Sequence, residues 1–316
     1  MDLTTDLDVI RRRERIDPID NRRLRRALDD RTWTRVAPGA FVLTTHWRSL
    51  DPLERHRLRV TEVARRLRGP VVFSHFAAAA LWRIDVLGAW PELVDVSCPS
   101  ASGGRSSGVV RRRTRIMAGV ETVSCGMHAV TTPAQTALDL ARSEAFVRGV
   151  SIVDQALWKA RPEGALTDLF EIVRLWESQQ DRRGVARAER AISFASPLAA
   201  NVRESQARVV VAELGFPTPR LQERRVLPGG RVAYADLCFP EQDHWCEIDG
   251  RAKYRDPVFL DGRTPEQAVI DEKNRENEIR REVHAFSRWE AADADHPRRI
   301  YDILTRDGLP STRPRP

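Results

Sequence analysis

Residues 232–249 place the tightest constraint on this chain, because VAYADLCFPEQDHWCEID reads as two short strands with acids at positions that alternation assigns to the interior. Val232, Tyr234, Asp236 and Cys238 fall on one side of the first strand, and Ala233, Ala235, Leu237 and Phe239 on the other. Both sides are apolar, the pattern of a central strand covered on both faces. In the second strand Trp245, Glu247 and Asp249 share a side, opposite Cys246 and Ile248. A carboxylate at such a position is costly unless it is paired or bound to a cation. The fold must therefore bring positive charge to these strands.

Composition narrows where that charge comes from. The chain has 316 residues, enough for two or three domains, with 41% hydrophobic and 31% charged residues, which suits a soluble globular protein. No apolar run approaches the ~20 residues of a membrane helix; FAAAALW at 76–82 comes nearest. The first residues, MDLTTDLDVIRRR, put acids first and lack the apolar core of a secretion signal. A cytoplasmic location and no membrane partner are expected. Cys98, Cys125, Cys238 and Cys246 have no CxxC spacing and read as reduced, buried thiols. The net charge is +7, and residues 1–70 hold 17 Arg against 11 Asp and Glu, a balance of +6. Such a segment suits an anionic partner, with nucleic acid first; the plainer reading is a general arginine bias. Only Lys159, Lys253 and Lys273 are lysines among 52 basic residues. A lysine is a compact charge that arginine does not replace, and two of the three flank the acidic strands.

Residues 8–30 read as helical, with Leu24, Ala27 and Leu28 on one face, Arg22, Arg23, Arg25 and Arg26 around the rest, and Asp20 or Asn21 as cap. TWTRVAPGAFVLTT then alternates as a hairpin around Pro38-Gly39. Helix, basic helix and hairpin make the order of a winged helix, in which the helix enters a major groove and the hairpin flanks a phosphate strand. Arg22, Arg23, Arg25, Arg26 and Arg35 are the expected phosphate contacts; the alternative is a solvated arginine face. Further along, a helix is expected at 53–69 and a strand leading into a helix capped by Ser74 at 71–84, with His75 as a packed or capping residue. Strands follow at 93–97 and 108–116 around the flexible loop SASGGRSSG, then a run of helices to about 194. These readings divide the chain into a winged-helix domain (1–68), an α/β middle domain (69–195), a third domain (196–308) and a frayed tail (309–316). The fold class is α/β, or α+β overall.

The third domain reads α–β–β–β–α–β, a mixed sheet flanked by helices. In its first helix Ala200, Glu204, Ala207, Val211 and Leu214 share a stripe, which puts Glu204 on the packed face. Asp236 lies on a central strand, and Glu247 and Asp249 project together before Gly250. Acids converging in this way suit Mg²⁺ or Mn²⁺, which prefer oxygen ligands and can activate a bound water. Lys253 or Lys273 could orient that water or steady an oxyanion. Ion pairs with Arg231, Arg251 and Arg275 are the alternative.

The order Glu204, Asp236, Glu247-x-Asp249-Gly250 resembles the PD-(D/E)XK nuclease fold, and specifically the very-short-patch-repair-like family of restriction-endonuclease-like domains. SPLAANVRESQARVVVAELGFPTPRLQ matches that family's opening helix and its entry to the first strand. The resemblance implies Asp236 and Glu247 as metal ligands, Glu204 assisting, and Gln222 near the site. The chain departs from the motif by carrying Asp249 where the lysine usually stands, leaving Lys253 and Lys273 as substitutes. Residues 10–190 resemble the AbiEi-like antitoxins of type IV abortive-infection systems, through RVAPGAFVLTT, FSHFAAAALWRI and VTTPAQTALDLA. That resemblance implies a DNA-binding repressor with a cognate toxin. Two expectations follow: a Mg²⁺-dependent endonuclease acting on double-stranded DNA, or a repressor whose nuclease-like domain is inactive. An RNA-directed role for the arginine-rich helix is a third.

Overall fold

In the computed structural model, which describes residues 9–11, 21–99, 106, 108–249 and 264–316, apolar alternation resolves into three sheets distributed over two units. Met1–Leu157 with Glu163–Ala195 forms the first unit, and Trp158–Pro162 with Ser196–Pro316 the second. The class is α+β, and among the described residues no helix is long and apolar enough to cross a membrane.

The first unit begins with β1 (Ile10–Arg11), α1 (Asn21–Asp29), β2 (Trp33–Ala37), β3 (Ala40–Leu43), α2 (Thr44–Ser49) and α3 (Pro52–Ala64). β2 and β3 are the expected hairpin, turning at Pro38-Gly39, where Gly39 takes a positive φ of 75°. The helix expected over 8–30 is corrected at its start. Ile10 and Arg11 are extended and pair with Phe41 and Ala40, so a third strand uses the free edge of the hairpin, and α1 begins only at Asn21. The cap residue Asp20 lies outside the described residues. α3 has clear local causes: Asp51 accepts from Glu54 N–H at 2.8 Å, and Pro52 supplies a helical φ where no N–H is needed.

The chain continues through β4 (Val72–Phe73), α4 (His75–Leu81), β5 (Val94–Pro99), β6 (Val110–Arg115), β7 (Thr122–Cys125) and β8 (His128–Thr131), a mixed sheet of order β6-β5-β4-β8-β7. Helices α5 (Pro133–Ser143), α6 (Phe146–Leu157), α7 (Leu169–Ser178) and α8 (Val185–Phe194) complete the unit. The expected division at 68/69 does not separate two units. Ala37, Ala40, Val60, Val63 and Ala64 share one buried cluster with Phe73, Ala77, Leu81, Val96 and Val130. The hairpin and α3 therefore find their apolar partners in the larger sheet. The expected boundary at 195/196 coincides with the break between units.

The second unit follows the expected order: α9 (Val202–Glu213), β9 (Arg220–Val226), β10 (Val232–Phe239), β11 (His244–Asp249), α10 (Pro265–Glu282), β12 (Ala285–Glu290) and α11 (Pro297–Arg306). The sheet order is β12-β11-β10-β9, with β9, β10 and β11 an antiparallel meander and β12 parallel to β11. A parallel neighbour requires a crossover, and α10 makes it. Leu237, Phe239, Cys246, Ile248 and Trp289 pack with α9 and α11 residues, while Ala233, Ala235, Trp245 and Phe286 pack with Ile279 of α10.

The tail expected to fray at 309–316 is instead tied down. A helix leaves its last carbonyls without intrahelical donors, and the tail supplies them at the end of α9. Arg313 donates to Glu213 O at 2.7 Å, Ser311 to Leu214 O at 2.7 Å, and Thr312 N–H to Gly215 O at 3.0 Å. Leu309 joins the core beside α9, and Arg315 grips Asp302 with two bonds of 2.6 and 2.7 Å. Removing residues 310–316 is expected to destabilise the second unit by about 2–3 kcal/mol, from three bonds at ~1 kcal/mol each. Thermal unfolding of the truncated and intact chains measures this.

Candidate functional site

The singled-out acids sit around an interruption in the second unit's sheet. Pairing of β10 with β9 passes over Asp236 between Ala235 and Leu237, and pairing of β10 with β11 begins at Leu237. The alternation changes phase there: Ala233 and Ala235 belong to the cluster on the α10 side, while Leu237 and Phe239 belong to the cluster on the α9 side. Gln222, opposite on β9, has a positive φ of 51°. That conformation is uncommon outside glycine and marks a local constraint. In place of a ladder bond, Asp236 Oδ2 accepts from the Ile248 backbone N–H at 2.7 Å. β10 is central, as expected, but Val232 and Tyr234 are exposed, so the strand's first half is covered on one face only.

Each acid is engaged by a nitrogen donor. Glu204 is buried on α9, where its carboxylate accepts from Ala200 N–H at 2.8 Å and from the Asn201 amide at 2.7 Å, with the Gln222 amide at 3.4 Å. Asn201 caps the same helix by accepting from Arg203 and Glu204 N–H groups, so Glu204 completes a reciprocal cap. Glu247 is buried, and its Oε1 accepts from Arg275 at 2.8 Å and from the Trp245 indole at 3.4 Å. Asp249 takes both arms of Arg288, at 2.5 and 2.7 Å. Arg288 also binds Glu276 of α10, which is bound in turn by Arg280. The acids raise the Arg288 pKa further above its usual range, led by the hydrogen bond that Arg288 donates to Asp249.

Mg²⁺ needs several oxygens pointing at one centre in octahedral geometry. Among the described residues no three His, Cys, Asp or Glu side chains form such a group. Glu204 lies on the α9 side, Glu247 and Asp249 face α10, and the oxygens named above already accept from N–H donors. The four acids therefore do not meet, and as arranged they do not fit a divalent cation. Of the arginines expected as alternative partners, Arg275 engages Glu247, whereas Arg231 pairs with Glu278 and not with one of the four acids. Arg251 and Lys253 lie outside the described residues, and Lys273 is exposed on α10.

Arg288 was not foreseen. A charged residue inside the largely buried AFSRWE strand poses the same problem as Asp236 and demanded a partner in the same way. What sequence could not supply was the parallel register that sets Arg288 beside Glu247 and places Asp249 one pleat along the same face.

In the first unit, Arg25 and Arg26 on α1 and Arg35 on β2 are exposed and have no ion pair among the described residues. The side chains of Arg22 and Arg23, also on α1, lie outside the described residues. Other arginines of this unit are consumed inside the fold. Arg11 grips Glu62 at 2.8 and 2.7 Å, and Arg111 and Arg113 both bind the buried Asp95.

No family model matches the chain. Over 111 residues it is 32% identical to uncharacterized proteins from two strains of Mycobacterium tuberculosis. That match covers 35% of this chain and 39% of the length of each relative. A crystal structure of another Mycobacterium tuberculosis protein aligns with 13% identity and a TM-score of 0.33, covering 70% of this chain and 84% of that one. Neither likeness carries an activity to this chain.

Burial raises the Glu276 pKa, but hydrogen bonds from Arg280 and Arg288 outweigh it and hold the carboxyl below its ordinary 4.5. The stability gained from a depressed carboxyl is present above the unfolded pKa and is lost as pH falls through the folded one. Arg288→Met is therefore expected to cost about 2 kcal/mol at pH 7, where it strands the Asp249 carboxylate and leaves Glu276 with Arg280 alone. The Glu276 share of the penalty shrinks as pH falls from 7 to well below its ordinary 4.5 and the carboxyl protonates. Urea unfolding of both proteins at the two pH values tests this.

Proposed function

We propose that the chain is a DNA-binding regulator whose first unit grips duplex phosphates and whose second unit keeps a restriction-endonuclease-like frame as a scaffold. A contrast between arginines carries this reading. In the second unit Arg275 and Arg288 are spent on Glu247 and Asp249, whereas Arg25, Arg26 and Arg35 in the first stand exposed with no ion pair among the described residues. Unpaired guanidiniums on a helix and an adjacent hairpin suit phosphate oxygens, and they supply the sequence-independent part of DNA affinity. The AbiEi-like resemblance of residues 10–190 points the same way, and makes a cognate toxin the protein partner to look for.

The second reading is a metal-dependent DNA endonuclease. What favours it is the ladder break that sets Asp236 between Gln222 and the strand carrying Glu247, at the positions the nuclease resemblance singles out. It requires Glu247 to exchange its arginine for a metal.

Two measurements separate these readings. In fluorescence anisotropy with a DNA duplex, replacing Arg25, Arg26 and Arg35 together by Gln is expected to weaken binding. It should also reduce the slope of log K against log salt by about 2–3, at ~0.9 per lost phosphate contact. An unchanged slope removes these residues from the interface. With supercoiled plasmid and Mg²⁺ or Mn²⁺, binding without cleavage is expected from the wild type. Cleavage that disappears in Asp236→Ala would establish the nuclease instead.

A further inference from the structure

The first unit contains a second concentration of arginines, around a cavity of about 330 Å³ bordered by β6, α5 and the turn before α8. His75, Arg113, Arg115, Asp139, Arg142 and Arg183 are among the residues that line it. The ion pairs around it are unequal. Arg111 and Arg113 share Asp95, Arg115 holds Asp139 at 2.6 Å, and Arg142 and Arg183 share Asp181. Five guanidiniums thus face three carboxylates, an excess of two positive charges before Arg112, another lining residue, is counted.

Several donors in this cavity have no acceptor among the described residues. Arg113 uses Nε on Asp95 and leaves both terminal nitrogens without a hydrogen bond. Arg183 uses Nε and Nη2 on Asp181 and on Thr114 O, leaving Nη1. His75 is buried and shares Nδ1 with Ser74 Oγ at 3.0 Å, leaving Nε2 unbonded. Its backbone has a positive φ of 49°, a strained conformation for this residue type that packing must impose. Burial lowers the His75 pKa to about 4, so the ring is neutral at pH 7 and can donate through Nε2 without adding charge. The wall is closely built as well. Gly184 has a φ of 70°, and a Cβ there would meet Arg142 O at 2.3 Å.

We infer that this cavity binds the phosphate group of a small phosphomonoester. Such a group carries close to two negative charges at neutral pH, which offsets most of the excess, and its three oxygens accept from several guanidinium N–H groups at once. The volume lies at the small end of the range for compact ligands, enough for a sugar phosphate and too little for a polymer segment. A purely structural network would balance its charges internally; this one does not. The site is separate from Arg25, Arg26 and Arg35 and stands whether or not the chain binds DNA.

Isothermal titration calorimetry on the full chain tests it, with inorganic phosphate and ribose 5-phosphate as probes at fixed ionic strength and chloride as control. Saturable binding is expected, at least tenfold weaker in Arg113→Gln and in Arg183→Gln. Arg183 is largely exposed, so that variant keeps its fold, and near-UV circular dichroism verifies both. Tighter binding of ribose 5-phosphate identifies an organic phosphate ligand, and equal affinity identifies free phosphate. No saturable heat with either probe, or undiminished binding in both variants, overturns the inference. So does complete displacement by a short DNA duplex, which would assign the phosphate to a nucleic-acid backbone.

Discussion

The pairing of buried carboxylates with arginine is the interaction on which this structure depends. In the second unit Arg288 reaches from β12 to Asp249 on β11 and to Glu276 on α10, while Arg275 of α10 returns to Glu247. The crossover helix is thereby bound to the two strands it connects by charge as well as by Ile279. Removing one member of such a set strands a charge in a poorly solvated place.

The first unit uses the same device. Asp95 is fully buried on β5 and takes two arginines from the neighbouring strand β6. Burial raises its pKa, but the hydrogen bond from Arg111 and the charge of Arg113 prevail and leave it lowered. Arg115 extends the network to Asp139 and Gln179, and Gln135 bridges the same two residues. The abundance of arginine is thus in part a structural requirement. A planar fork satisfies both oxygens of a carboxylate, which an ammonium does not. The departures from this economy stand out against it: arginines on α1 and β2 with no ion pair among the described residues, and an uneven count around the β6–α5 cavity.

Much of the second unit was legible from residue order. Its α–β–β–β–α–β sequence, the burial of Glu204 and the need for a cation beside Glu247 all follow from periodicity and the cost of burying charge. The convergence of Glu204, Asp236, Glu247 and Asp249 on one metal was a step too far. Alternation places residues on a face, but Asp236 interrupts the alternation, and Glu204 belongs to a helix on the other side of the sheet. The same limit explains the tail. STRPRP carries every local mark of a frayed end, and it is held because α9 stops nearby with carbonyls to satisfy.

By itself the sequence determined which segments are helix and strand across most of the chain, where the second unit starts, and that Glu247 would need positive charge. Those properties depend on neighbours within a few residues and on transfer free energies that any folded environment imposes. Tertiary structure alone decided which positive charge arrives. Arg275 and Arg288 lie 28 and 39 residues from the acids they bind; the packing of α10 brings the first, and the parallel register of β11 with β12 brings the second. It decided equally that Ile10 and Arg11 close a sheet edge, and that arginines from three separate elements surround one cavity. Such contacts are set by which surfaces the chain must bury together, a constraint that no local stretch of residues contains.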